Sequence, residues 1–393
     1  MRKVIVAAGL QLYALGLAVA QTMPAVRTDE AKYLLDIPYP HPPLIRSLLA
    51  STTSWPWQEF FWRAVFATLV VQGVWMLLRL AKNLPREQTL ILGVSWVAGG
   101  AVLLQAGTIM MAPLTALEAL AFVAIALSHK RLSPNQTFWV GALWLVSLLT
   151  AYQAVLFAPL VIAILWQSQT PRWQQALYFL GPLIVAGLFA LYEPTVLASF
   201  VSAGKVNASL AADVRTTNIF RAWLVSGSLV LGIAGITGMV RARQWPLLAS
   251  LGLVLLFLAV SYREYYAILF APLLVGGLYG LLKEKPLPAL PYLLSLFAVS
   301  AALAGAYALP RPTLARQAMQ LIASETKGEG DVLIAGDFGH EWQYESAAPV
   351  RRYRKGFLSA AKAVVCLKEC PDMVGTPGWK RVVYPDAEMW LRK

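Results

Sequence analysis

The chain has 393 residues, 58% of them hydrophobic and only 13% charged, with a formal net charge of +13. Soluble domains carry about 25% charged residues, so this composition excludes a string of water-soluble domains and requires a polytopic membrane protein. The basic residues are spread through short loops rather than gathered into a patch; the positive-inside bias explains that distribution, and a nucleic-acid partner does not.

The N-terminus, "MRKVIVAAGLQLYALGLAVAQTMPA", has the layout of a signal peptide, with two charges, an apolar run and then small residues. The run Val4–Ala20 is long for a signal core and long enough to cross a bilayer, so a retained first helix is expected. Apolar windows at 4–21, 60–79, 89–107, 112–128, 137–150, 152–167, 174–192, 219–240, 246–261, 265–282 and 291–309 predict about 11 transmembrane helices. Loop charge orients them. "RLAKNLPREQ", "SHKRLSPNQ", "QSQTPRWQQ", "RARQW" and "KEKPLP" all carry Lys or Arg, as cytoplasmic loops do. The alternate loops, "QAGTIMMAP", the turn near Thr150 and "EPTVLASFVSAGKVNASLAADVR", are long or nearly free of positive charge. The alternation places 21–59 and 310–393 outside.

From Pro310 onward the material changes. "TLARQAMQLIASETKGEG" has helical spacing and ends on glycines; "DVLIAGDF", "AKAVVCLKE" and "WKRVVYP" are short β-rich runs, and "FLSAAKA" reads as part of a helix. Strands alternating with helices suggest a small α/β domain. The expected architecture is therefore an all-α polytopic membrane domain over 1–309, with an outer loop 21–59, followed by a small extracytoplasmic α/β domain over 310–393. No internal repeat or low-complexity tract is evident.

The outer loop concentrates polar groups at the lip of the first helix. In "TDEAKYLLD", Thr28 or Asp29 could cap a short helix, with Leu34 and Leu35 resting on apolar surface. Residues Asp29 and Glu30 are neighbours about 100° apart on a helix, so one carboxylate can face a cavity while the other faces elsewhere. In "IPYPHPPLIRSLLAS" the prolines stiffen the backbone, and "LIRSLLAS" reads as a helix lying along the interface.

An Asp-Glu pair just after the first transmembrane helix, followed by "HPPL" opening an interfacial helix, resembles the membrane-integral (C-type) glycosyltransferases, closest to the protein O-mannosyltransferases and the lipid A aminoarabinose transferases. The resemblance implies a sugar donor on a polyprenyl phosphate, with Asp29 as the catalytic carboxylate and Glu30 as its companion. His41, Pro42, Pro43 and Leu44 match the "HPPL" element of the mannosyltransferases. The chemistry stands on its own terms. A lipid phosphate leaves without an acid, whereas the acceptor hydroxyl needs a base, which one positioned carboxylate supplies. Single displacement with one base inverts the anomeric centre, as in inverting glycosidases. Lys32 and Arg46 are cations near enough in sequence to help hold a phosphate.

A second constellation precedes the tenth window, in "SYREYYAILFAPLL". It is similar to the "RY…P" element late in these transferases, and the resemblance makes Arg263 the clamp on the donor phosphate, since guanidinium bonds phosphate oxygens bidentately. An aromatic belt explains the tyrosines here equally well. His41, Tyr33, Tyr262 and Tyr265 are assigned to the substrate cavity. Departures from the pattern are also visible: the start of the fourth span, "GTIMMAPLTALEA", lacks the family's Arg and Asp, and "LLTAYQAVLFAP" lacks a lysine, whose place Tyr152 and Gln153 take.

Glu118 is an ionisable group at membrane depth, a functional candidate by default, with no partner evident in the sequence. His129 and His340 read as a solvated loop residue and part of the tail, not as metal ligands. Of the sequons "NQT" (135–137) and "NAS" (207–209), the first falls on the inner side. Cys366 and Cys370 pair only if the tail lies in an oxidising compartment. No cofactor is required and no metal site is expected, although the loop carboxylates could hold a divalent cation. Expected partners are a polyprenyl-phosphate sugar, an acceptor protein, lipid or glycan, and membrane lipids, with no nucleic acid. The expected location is a bacterial inner or plasma membrane, with the site and C-terminus extracytoplasmic. Two rivals stay open, a lipid or small-molecule transporter or flippase and an inactive assembly relative. A transporter predicts repeats and broken helices at the midplane; here the polar groups cluster at one face instead.

Overall fold

The computed structural model describes residues 2–24, 26–37, 41–53, 55–128, 131–193, 196–198, 201–202, 205, 209, 211–225, 229–307, 313–326, 330–336, 338–346, 348–367, 377–384 and 387–392. The chain divides into two compact units that cross the sequence boundary expected at 309/310. One comprises Met1–Gln21 and Pro38–Leu309, and the other Thr22–Ile37 and Pro310–Lys393. The first half of the outer loop thus groups with the tail and not with the helices.

The apolar windows of the helical unit fall mainly on helix among the described residues, with a break at Ala98–Gly99 and a 3-10 turn, Tyr152–Phe157, opening the window 152–167. Five stretches are long and apolar enough to cross a membrane: Val4–Thr22, Gln58–Asn83, Arg86–Gln105, Arg172–Tyr192 and Glu264–Glu284. Shorter apolar helices include Met111–Leu127, Trp245–Val260 and Ala289–Leu303. This is an integral membrane protein. The window 219–240 differs from expectation. It falls on two helices, Ala212–Val225 and Val230–Arg241, with 226–228 outside the described residues.

The bundle is organised around Glu264–Glu284, whose whole apolar window is buried. A helix apolar all round belongs at a centre. Its closest neighbour is Val230–Arg241, and the reason is glycine. A Cβ on Gly235 would meet the carbonyl oxygen of Leu274 at 2.6 Å, and one on Gly238 would run into the carbonyl of Gly277. Only small residues let two helix backbones come this close. Side-chain hydrogen bonds fasten the outer helices: Gln11 Nε2 donates to Thr68 Oγ1 (2.9 Å), the Tyr13 hydroxyl to the Val97 carbonyl (2.8 Å), and the Ser300 hydroxyl to the Ala98 carbonyl (2.7 Å).

The other unit carries a five-stranded sheet of order β2-β1-β3-β5-β4: β1 Asp331–Ala335, β2 Val350–Arg352, β3 Ala361–Cys366, β4 Trp379–Tyr384 and β5 Ala387–Arg392. β1 runs parallel to β2 and β3, while β5 is antiparallel to both β3 and β4. Period-2 alternation gives the central strands β1 and β3 two apolar faces. Val332, Ile334, Ala363, Val365 and Met389 pack under the helix Leu314–Glu325, and Leu333, Val364 and Trp390 pack under Phe357 and Leu358. The helix Leu314–Glu325 and strands β1, β3 and β4 fall where the sequence placed them. The stretch expected as helix in "FLSAAKA" instead ends a 3-10 turn, Lys355–Ala360, and begins β3. β2, β5 and the helix His340–Glu345 were not expected. Each is short, and β5 ("AEMWLR") shows its alternation only once β3 and β4 flank it.

Candidate functional site

The segment carrying Asp29 and Glu30 forms the helix Thr28–Leu34, as its sequence suggests, but is capped differently. Neither Thr28 nor Asp29 is the N-cap. Arg27 occupies that position, and the third helical residue, Glu30, reaches back so that its Oε2 accepts from the Arg27 backbone N–H at 2.8 Å. This is the carboxylate half of a capping box. Thr28 Oγ1 is turned instead to Glu341 Oε2, on the helix His340–Glu345. Further bonds bind the loop to the tail: the Thr313 N–H donates to the Pro24 carbonyl (3.2 Å), and Arg316 donates to the Thr22 carbonyl while its guanidinium pairs with Glu345 (2.8 Å). These contacts explain why 22–37 belongs with the tail.

Within this helix the two acids have different surroundings. The side chain of Asp29 is 19% exposed, and its Oδ1 lies 3.1 Å from Lys32 Nζ, one turn on. Glu30 is 1% exposed and engaged in the cap. Tyr33, expected to line the substrate cavity, is 1% exposed and belongs to the buried core with Ala31 and Leu34. The structure thus brings Asp29 and Lys32 together. His41 and Arg46 fall in the helical unit, both half-buried, at and just inside the start of the helix Pro43–Ala50 that "HPPL" predicts; Pro42 is its N-cap. Tyr39 and the prolines at 38 and 40 lie outside the described residues.

In the helical unit, "YREYY" opens a 3-10 turn, Glu264–Leu269, that runs into the central helix. Arg263 stands just before it with an exposed side chain, and Nη1 reaches the Tyr262 carbonyl at 3.4 Å. Tyr262 is half-buried. Tyr265 and Tyr266 are buried edge to face, with ring centroids 4.5 Å apart. Tyr265, expected in the substrate cavity, is thus 6% exposed and packed against Tyr266. The Tyr266 hydroxyl accepts from Gln153 Nε2 at 3.0 Å. Gln153 thus touches the arginine-bearing turn from a distance of 113 positions in sequence.

Other polar groups of this unit were invisible or misjudged in the sequence. Glu118 does have a partner: Thr150 Oγ1 donates to its Oε1 at 2.9 Å. Arg63 and Glu59 form a buried pair at 3.0 Å, with Arg63 Nη1 also donating to the Gly107 carbonyl at 3.2 Å. Their i, i+4 spacing was the available signal; the Gln153–Tyr266 contact had none. His340 Nδ1 bonds Gln343 Oε1 at 2.8 Å, whereas His129 and the Asn207 sequon lie outside the described residues. Asn135 sits in the first turn of the helix Pro134–Thr150. Cys366 is disulfide-bonded, and the chain's other cysteine, Cys370, lies outside the described residues. Among the described residues no group of three or more His, Cys, Asp or Glu side chains could hold a metal ion.

The fold, a bundle of apolar helices with a small C-terminal sheet, is shared with a solved membrane protein. The chain is similar in structure to ArnT from Cupriavidus metallidurans, crystallised bound to undecaprenyl phosphate. The match covers 98% of this chain and 97% of that one, with a TM-score of 0.67 and 14% identity. Weaker likenesses are to the Archaeoglobus fulgidus oligosaccharyltransferase in complex with Zn and sulfate (TM-score 0.49, 12% identity, 91% of this chain and 68% of that one) and to the mycobacterial arabinofuranosyltransferase AftD (TM-score 0.47, 14% identity, 98% of this chain and 41% of that one). No protein-family model and no curated protein matches the sequence.

Proposed function

We propose that this protein is an inverting glycosyltransferase that takes a sugar from a polyprenyl-phosphate donor and places it on an acceptor hydroxyl at the outer face of a bacterial inner or plasma membrane. The observation that carries the reading is the end-to-end likeness to ArnT, together with an Asp-Glu helix directly after the first span. The topology that goes with it has eleven crossings, with 21–59 and 310–393 outside.

In the proposed reaction Asp29 is the base. The acceptor oxygen attacks the anomeric carbon as its proton passes to the Asp29 carboxylate. The bond from that carbon to the phosphate oxygen breaks, and the electron pair leaves with the lipid phosphate. A phosphate monoester departs without protonation, so one base suffices, and attack opposite the leaving group inverts the centre. Lys32, at 3.1 Å, fixes the direction of the Asp29 carboxylate. Its ammonium is thereby a positioning group for the base more than a phosphate ligand, which refines the role expected from sequence. Glu30 shapes the loop through its cap to Arg27. Arg263 is the donor-phosphate ligand: it is exposed, and its Nη1 reaches only a backbone carbonyl, that of Tyr262, among the described residues. Arg46 helps hold the donor phosphate, His41 lines the substrate cavity, and no step requires a metal.

The test is reconstitution of the purified full-length protein with a panel of polyprenyl-phosphate sugars, followed by assay of released lipid phosphate. Release that depends on Asp29 is the expected result. No release from any donor, or release untouched by Asp29→Asn, overturns the reading in favour of a carrier or scaffold.

A further inference from the structure

A cleft of about 930 Å³ lies wholly within the helical unit, at helix ends whose loops carry Lys and Arg. One wall is apolar, from Leu80, Ile125 and Leu282, and the rim bears Arg79, Lys82 and Lys283. These cations come from two stretches about two hundred positions apart, brought to one opening by the fold. No carboxylate is among the described residues that line it.

In "KEK" (283–285) only Lys283 lines the cleft and in "REQ" (86–88) only Gln88 does, so Glu284 and Glu87 are turned away along with Lys285 and Arg86. The walls are also pre-set. Gln88 is buried and clasps the backbone of Leu287 from both sides, donating to its carbonyl and accepting from its N–H, each at 3.0 Å. Lys283 Nζ lies 5.7 Å from the centre of the Tyr279 ring, also part of the lining, so its stem rests on an aromatic wall. An apolar wall under a rim of unopposed cations fits an amphiphile with a negative phosphate head, and a cleft of this size is within the range of ligand sites.

We propose that this cleft is a binding site for an anionic phospholipid of the surrounding leaflet, with its phosphate on Arg79, Lys82 and Lys283 and a chain along Leu80, Ile125 and Leu282. The site is separate from the proposed transfer chemistry and does not depend on it.

The experiment places the full-length protein in phosphatidylcholine nanodiscs containing a trace of photoactivatable phosphatidylglycerol, and maps cross-links by mass spectrometry. Labelling of 76–88, 121–132 and 279–286 is expected to exceed that from photoactivatable phosphatidylcholine, and to fall roughly tenfold or more in an Arg79→Gln, Lys82→Gln, Lys283→Gln triple variant. Excess inorganic phosphate should leave the label in place, because the apolar wall contributes to holding it. Equal labelling by the two lipids, labelling unchanged in the triple variant, displacement by inorganic phosphate alone, or capture of polyprenyl phosphate in place of phosphatidylglycerol would each overturn the proposal. The comparison of the two lipids on the unaltered protein decides the matter even if the triple variant fails to fold.

Discussion

The two units solve the burial problem in opposite senses. In the sheet unit Val332, Ile334 and Val365 are inside, and Arg351, Arg352, Lys380 and Arg381 are outside. In the helical unit the helix Arg172–Tyr192 has only 11% of its apolar window buried, and Ile184, Leu188 and Leu191 are each more than half exposed. Such a surface is stable only where hydrocarbon replaces water. The forces at the centre differ accordingly. In water, removing apolar area drives assembly. Between helices in lipid that drive is absent, and close packing of small residues takes its place, as Gly235, Gly238 and Gly277 show. The Asp29 helix lies on the watery side of this division, built into the sheet unit.

The largest expected effect asks whether the chemistry resides in that watery unit. Asp29→Asn should lower turnover by roughly 10²–10⁴-fold, the span of general-base catalysis, with helical circular dichroism and donor binding preserved. Retained turnover would break the assignment. Next, Ile334→Ala removes a fully buried side chain from one face of the sheet and should destabilise its unit by about 2–5 kcal/mol. Hydrogen exchange should then quicken in 28–34 together with 314–392, while 230–284 stays protected; quickening in the helices alone would show that the division is misdrawn.

The matching test in the helical unit is Gly238→Val, which drives a side chain into the Gly277 carbonyl and should cost about 1–3 kcal/mol or more, seen as a lower melting temperature in detergent. Gly252→Leu, where nothing lies within 4 Å of the added Cβ, is the silent control. Arg263→Gln should weaken donor binding by about 1.5–3 kcal/mol, the strength of a hydrogen bond to a charged group, read as a raised KM with kcat less affected. At the small end, Glu388 holds the Arg381 guanidinium above its ordinary range through their hydrogen bond. A base with a raised folded pKa keeps its stabilising effect at every pH below its unfolded value and loses it only as pH climbs past the folded one. Glu388→Gln should therefore lower the melting temperature only slightly, the pair being exposed, and leave its pH dependence near neutrality unchanged.

By itself the sequence determined whatever depends on local composition and period. It specified a membrane protein, helices over most of the apolar windows, the helix Pro43–Ala50 opened by "HPPL", the helix that follows Thr313, and strands β1, β3 and β4. Only the tertiary structure decided which helix is central, because a glycine's role as a backbone contact depends on what faces it. It alone showed that Gln153 meets Tyr266, that Thr150 meets Glu118, and that Arg79 and Lys283 share one opening. It also divided the outer loop, sending Thr22–Ile37 to the tail unit. Those facts rest on residues distant in sequence and adjacent in space, and hydrophobic periodicity carries no information about such pairs.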